Sequence, residues 1–266
     1  MRKNKSVQRS FNVLGDIAVV NFSDNIKSAD KKKFAREILK RNSGVKTVLE
    51  KSGNFKGRLR KMTTKFLAGE KNKEVLYREN GCVFRFNIDT TYFSPRLSNE
   101  RKEVAGLIKK EDDVFVMFAG VAPFSIVIAK KSKAKKVYSN EINREANKYA
   151  QLNANLNHVT EKIKFVDGDA KRVCERLKSE RKRFDVIVMA RPNLKETFLK
   201  DALKVSKKGT RIFYYGFCRD EDAGKLVEEI KEKTKELGRK IKIIRTKSAG
   251  EIAPYKTRLR VDFRVL

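Results

Sequence analysis

From residue 92 onward the apolar positions switch between two rhythms. Short apolar runs at 114–118, 135–140, 162–166, 184–189 and 210–217 read as strands, whereas the segment from Phe124 and those at 143–157, 170–180, 195–206 and 221–237 repeat their apolar residues at helical spacing. Strand and helix in alternation predict an α/β domain with a parallel, doubly wound sheet. The runs at 114–118, 184–189 and 212–215 are almost unbroken stretches of apolar residues, as befits strands covered on both faces. Two last strands, near 241–245 and 258–265, have no helix between them and predict an antiparallel hairpin at one edge. The expected sheet has seven strands, mostly parallel, with one reversed.

Residues 11–89 follow a different, mixed pattern. A strand-like run at 14–22 precedes a helix at 29–41 with Phe34, Ile38 and Leu39 on one side, and short strands follow at 45–49 and 75–88. Asn80-Gly81 between two apolar runs is a hairpin signal, because both residues accept the positive φ of a tight turn. A small α+β domain over residues 1–90 and a larger one over 91–266 are the expected organisation.

The 266 residues, 40% of them hydrophobic, suffice for a substantial core and exclude a disordered tail. Charge changes the picture more. The 64 Lys and Arg against 33 Asp and Glu leave a net charge of +31, so the chain should seek a polyanion. Basic clusters at 31–33, 130–136 and 181–183 are spread along the chain rather than gathered in a tail. A spanning helix is excluded on length: the longest uncharged apolar run, 114–129, has 16 residues and contains Gly120 and Pro123, against about 20 needed. No apolar segment follows the basic start, so no secretory signal is expected. Cys82, Cys174 and Cys218 fit neither a disulfide framework nor a metal knuckle and read as reduced packing residues of a cytoplasmic protein.

In a doubly wound sheet the ligand lies beyond the carboxyl ends of the strands, which makes four segments candidates. The first is the small-residue loop from Phe118 through Gly120 to Phe124, where backbone can approach a ligand closely. Glu141 ends the next strand, 21 residues past Gly120, where an acid can accept hydrogen bonds from ribose hydroxyls. Gly168-Asp169 ends the third strand and also suits a plain helix N-cap. Ala190-Arg191-Pro192-Asn193 follows the fourth. His158, the lone histidine, reads as a solvated helix end, and the alternating Phe213, Tyr214, Tyr215 and Phe217 as core rather than as a stacking platform.

Two blocks, Tyr92-Phe93-Ser94-Pro95-Arg96-Leu97-Ser98-Asn99-Glu100-Arg101 and Met117-Phe118-Ala119-Gly120-Val121-Ala122-Pro123-Phe124, closely resemble the archaeal and eukaryotic tRNA guanine-N1 methyltransferases that modify the guanosine 3′ of the anticodon, position 37. The likeness covers almost the whole chain, including 56–60, 66–70 and the terminal Ala253-Pro254-Tyr255 and Val261-Asp262-Phe263. It implies a Rossmann-like class I S-adenosylmethionine methyltransferase fold, S-adenosyl-L-methionine as cofactor and tRNA as partner; no metal, no membrane and a monomeric chain are the accompanying expectations. It also implies roles. Glu100 would be the general base for guanine N1, and Arg60, from the small domain, would neutralise charge building on O6. Tyr92, Arg96 and Arg101 would line the pocket, with the arginines also open to phosphates, and Arg191 would face the substrate. Met117 and Phe118 would flank the adenosyl group, Gly120 and Pro192 would border the cofactor, Glu141 would hold its ribose, and Asn143 and Asp169 would lie near the nucleoside.

Departures from the family pattern cluster at the cofactor and the base. Val116 stands where the family has Asp, Ala122 where it has Gly, and Ala190-Arg191-Pro192 where it has Asn-Leu-Pro. A lost buried hydrogen bond costs about 1–3 kcal/mol, so weakened turnover is one consequence to expect. A tRNA-binding homologue with a decayed site, and a sister enzyme that transfers the aminocarboxypropyl group of the same cofactor, are the alternatives these departures raise. Residue 11 already matches the family's second module, so the leading domain of longer members is expected to be absent.

Overall fold

Patterning of the two halves carries through to two compact units. The computed structural model describes residues 10–23, 25–191 and 196–266, and the chain divides into two compact units, the first ending at Phe93 and the second beginning at Ser94. In the first unit, β1 (Ser10–Leu14), β2 (Ile17–Asn21), β3 (Thr47–Lys56) and β4 (Lys61–Gly69) form a sheet in that order. Helix α1 (Ser28–Arg41) connects the parallel pair β2 and β3, and the other pairs are antiparallel. Ala35 and Ile38 of α1 close a core over Ala18, Val20 and Val48.

The run expected as one strand at 14–22 is instead the turn and second arm of a hairpin. Gly15, at φ +59°, reverses the chain between β1 and β2. Strand β4 is absent from the sequence reading, for a physical reason: its inward positions include Thr64, whose buried hydroxyl donates to Asp89 at 2.7 Å, so the apolar alternation is broken. The second hairpin, β5 (Glu74–Glu79) with β6 (Cys82–Asn87), turns at Asn80 and Gly81, both at positive φ as the turn chemistry requires. Phe93 stacks on Phe86 at 4.7 Å and closes this unit.

The second unit begins with a 3-10 turn at Pro95–Leu97 and α2 (Ser98–Gly106). There follow β7 (Asp113–Met117), α3 (Pro123–Lys131), β8 (Lys136–Glu141), α4 (Arg144–Leu156), β9 (Ile163–Asp167), α5 (Ala170–Ser179) and β10 (Phe184–Met189). The chain ends with α6 (Leu199–Lys204), β11 (Ser206–Arg219), α7 (Ala223–Glu236), β12 (Ile241–Ala253) and β13 (Lys256–Val265). The seven-stranded sheet runs β12-β13-β11-β10-β7-β8-β9, and β13 alone is reversed. Strand order reverses between β7 and β10, the switch point at which such sheets bind ligands.

Helix α6 is shorter than the expected 195–206. Residue 206 already opens β11, where it pairs with Phe184, and residue 195 lies outside the described residues. Helix α5 buries Ala170, Val173, Cys174 and Leu177, one face at helical spacing, against Phe184, Ile187 and Met189 of the sheet. The Phe213-Tyr214-Tyr215 stripe is buried, and His158 is exposed at a left-handed position after α4.

Candidate active site

The carboxyl rim of the sheet is organised by one carboxylate. Glu141 ends β8, and its Oε2 accepts from the Gly120 N–H at 2.8 Å while Oε1 accepts from the N–H groups of Ile142 and Asn143, each at 2.8 Å. Its own backbone carbonyl accepts from Gly168 N–H, so the loops after β7, β8 and β9 are tied together at this residue. Asn140 adds two bonds from its amide to the carbonyls of Val166 and Gly168. Backbone donors that would otherwise be orphaned at strand ends are thereby satisfied, which fixes the rim's shape.

Around Glu141 the rim offers the parts a nucleoside needs. Phe118, Gly120, Glu141 and Asp169 are all half-buried. Phe118 sits at φ +61° and packs edge-on to Phe198 at 4.9 Å, leaving an aromatic side chain on the crevice. Asn143 and Asp169 both act as helix N-caps, accepting from Glu145 N–H and Lys171 N–H. Met117, by contrast, is wholly buried in the core with Val166, Cys174 and Tyr214, so it forms the floor beneath the rim. Val116 is likewise fully buried in the sheet. Ala122 caps α3 at φ +65°, a region that costs an L-residue about 1–2 kcal/mol and explains why glycine suits this position. Beside the rim, a cleft of about 510 Å³ between α5 and α6 carries Lys171 and Lys204, which pair with Glu196, Glu175 and Asp201. The rim residues suit an adenosyl cofactor: a carboxylate for ribose hydroxyls, an aromatic face and close backbone. Pro192 lies outside the described residues.

Glu100 projects from the first turn of α2 into a buried ionic cluster, with 4% of its surface exposed. Its Oε2 accepts from Arg260 Nη1 at 2.7 Å and from the Tyr215 hydroxyl at 3.0 Å, and Oε1 meets Lys247 Nζ at 3.1 Å. Tyr215 and Arg260 are cross-strand partners on β11 and β13, one residue beyond the level at which β10 ends. Burial, reinforced by the Glu100 charge, pushes the Tyr215 phenol well above its ordinary pKa, so it remains a proton donor. Burial opposes the charge of Arg260, but Glu103, Asp262 and Glu100 hold its pKa above the usual arginine value. Sequence reasoning singled out Glu100 and read Tyr215 as core, but missed the ionic partners Arg260, Lys247 and Glu103. The signal was present in Asp262 and Arg260 alternating on an apolar strand, an unusual cost without partners.

The arginines separate into distinct environments. Arg96 is exposed and donates to the Glu251 carbonyl at 3.2 Å. Arg101 is buried, donates to the Ser94 carbonyl at 3.0 Å and lies 5.8 Å from the Phe124 ring, which removes it from phosphates. Arg191 is also buried, and its guanidinium bonds the Tyr214 hydroxyl at 2.7 Å and the Glu196 carbonyl at 2.8 Å. It is thus directed into the protein beside the rim. In the first unit, the Arg60 guanidinium stacks over the Tyr92 ring at 3.8 Å, bringing together two residues that the sequence reading singled out separately. No described helix is long and apolar enough to cross a membrane, and the described residues contain no group of His, Cys, Asp and Glu suited to a metal.

Comparison with known proteins bears on all of these features together. Residues 75–244 match the TRM5/TYW2 methyltransferase domain, and residues 2–72 match the TYW2 N-terminal domain. The tRNA (guanine(37)-N(1))-methyltransferase Trm5b of Pyrococcus abyssi is 34% identical over 257 residues, 96% of this chain and 74% of the relative. Its crystal structure superposes with a TM-score of 0.83. The structure of aTrm5 in complex with tRNALeu is 27% identical, with a TM-score of 0.83 over 98% of this chain and 73% of that one. Methanocaldococcus jannaschii Trm5 in complex with adenosine is 28% identical, with a TM-score of 0.78 over 96% and 72%. With the match spanning both units and the rim, the chain belongs to the TRM5/TYW2 methyltransferase family.

Proposed function

We propose that this protein transfers a methyl group from S-adenosylmethionine to N1 of the guanosine at position 37 of tRNA. Supporting this are its family, the activity in the name of the Pyrococcus abyssi relative, and the tRNA-bound and adenosine-bound structures to which it is similar. The cofactor, when bound, supplies an electrophilic methyl on a positively charged sulfur. This chain's residues supply alignment and proton removal.

Glu141 would accept the ribose hydroxyls and Phe118 would border the adenine, with Gly120, Asn143 and Asp169 shaping the pocket. Glu100 would accept the N1 proton. The observation that carries this role is its asymmetric anchoring: Arg260 and Tyr215 both hold Oε2, and Oε1 is met by Lys247, a half-exposed lysine that also binds Glu103. When Lys247 shifts wholly onto Glu103, Oε1 becomes the acceptor. Arg60 would offset charge on guanine O6 and Tyr92 would hold its guanidinium in place. Arg96 is exposed and open to RNA, whereas the buried Arg101 and Arg191 would position the block carrying Glu100 and the loop after β10.

The test is methylation of tRNA transcripts carrying G or A at position 37. Labelling of G alone, lost in Glu100→Gln with cofactor binding retained, is expected. Equal labelling of both transcripts, or full activity in Glu100→Gln, would overturn the reading.

A further inference from the structure

Strand β11 is 14 residues long, yet it pairs with β10 only as far as Tyr214 opposite Met189. Its last five residues continue past the rim, paired with Lys256 to Arg260 of β13. At about 3.3 Å per residue this three-stranded extension of β11, β13 and β12 rises about 17 Å above the ends of the other strands. Glu100 is anchored at its root by Tyr215 and Arg260. Its tip is the two-residue turn Pro254-Tyr255 between Ala253 and Lys256.

That tip is built in an unusual way. Tyr255 lies at φ +59°, in the left-handed region where Gly or Asn is favoured and a bulky aromatic is strained. Its side chain is 82% exposed, so packing returns nothing for the strain. The turn is nevertheless held on both sides. Asp220 N–H donates to the Tyr255 carbonyl at 3.3 Å, and Arg96, from the turn that leads into α2, donates to the Glu251 carbonyl at 3.2 Å. A strained, exposed aromatic on a hairpin tip tied down by these two hydrogen bonds points to a contact made with a partner. Charge at the tip is nearly balanced: of the three acids of the neighbouring 3-10 turn, Glu221 pairs with Arg219 and Asp222 with Lys225, and Lys256 stands beside Tyr255. What the tip offers is therefore an aromatic face rather than a phosphate clamp.

We infer that the extension is a wall along which an RNA loop lies and that Tyr255 stacks on an unpaired nucleobase near the target guanosine. The chain's +31 charge favours RNA over a protein partner as the occupant. The base at Tyr255 is a different one from the base at Glu100, because the height of the extension exceeds the size of a nucleobase. This inference rests on the proposed tRNA substrate and adds a contact that reads the loop around the target.

The experiment compares wild type with Tyr255→Phe, Tyr255→Leu and Tyr255→Ala, using full-length tRNA and the same tRNA with 2-aminopurine beside position 37. Base–aromatic stacking corresponds to about a fivefold to hundredfold change in affinity. Tyr255→Ala and Tyr255→Leu are expected to raise Kd and KM for tRNA by that factor, with kcat within about twofold. Tyr255→Phe is expected to match wild type. The salt dependence of binding should not change, because no ion pair is removed, and 2-aminopurine quenching should be lost in Tyr255→Ala. Unchanged tRNA affinity in Tyr255→Ala would overturn the inference, as would equal loss in Tyr255→Phe or a protein partner whose capture depends on Tyr255 while tRNA binding does not. Absence of methylation by the wild type would refute the proposed function instead, leaving a Tyr255-dependent RNA contact standing.

Discussion

Replacing Tyr215 by Phe removes a single oxygen from the cluster that holds Glu100. The hydroxyl donates to Oε2 over 3.0 Å inside the protein, where neither group can turn to water for a substitute. A hydrogen bond to a charged acceptor contributes about 1.5–3 kcal/mol, and because Arg260 keeps its own 2.7 Å bond to the same oxygen, the loss should fall near the lower end. The ring remains, with its 5.7 Å contact to Phe124, so no cavity larger than the oxygen forms. About 1.5 kcal/mol corresponds to a thermal midpoint lowered by about 3–6 °C in a unit of this size. If the bond also fixes Glu100 in the reacting geometry, a similar energy appears in the barrier as about a tenfold lower kcat. The assay is steady-state and single-turnover methylation of tRNA, together with thermal unfolding. A tenfold fall in kcat with KM for tRNA within about twofold is expected. A lowered midpoint with unchanged kcat would refute the positioning role and leave Tyr215 as a packing residue.

Glu141→Ala removes the acceptor for three backbone N–H groups, so S-adenosylmethionine affinity measured by calorimetry should fall at least tenfold and stability by about 2 kcal/mol or more. Ala190→Asn restores the amide that the family pattern places after β10, and single-turnover rates should rise by up to about tenfold, with unchanged rates counting against a base contact at this position. At Glu103 burial pushes the carboxyl up, but the hydrogen bonds and charges of Lys247 and Arg260 outweigh it and bring its pKa down from 4.5 to about 2. A depressed folded-state pKa contributes stability above the unfolded value that is lost as pH falls toward the folded one. Wild type should therefore lose more stability between about pH 5 and pH 2 than Glu103→Gln, by roughly 1 kcal/mol after solvent screening, as measured by urea titration.

Alternating strand and helix rhythm, the reversed final hairpin and the Asn80-Gly81 turn could all be read from residue order, because each depends on a local period or a local backbone preference. So could the rim: Glu141 and the Gly120 loop are placed by strand ends, and the structure ties them directly together at 2.8 Å. The boundaries that failed are those where a distant partner decided. Residues 206–209 joined β11 because Phe184 offered a pairing edge, and β4 formed although Thr64 broke its pattern, because Asp89 satisfied the hydroxyl.

Charge, apolar period and the two matching blocks thus determined by themselves the fold class, the family resemblance and the residue types at the candidate site. Tertiary structure alone decided what those side chains touch. It stacked Arg60 on Tyr92, turned Arg191 toward Tyr214, buried Arg101, and held Glu100 between Arg260 and Tyr215 from strands more than a hundred residues away. Local spacing specifies backbone form because φ and ψ preferences act between near neighbours, whereas a buried charge is satisfied by whichever partner the folded sheet brings within hydrogen-bond reach.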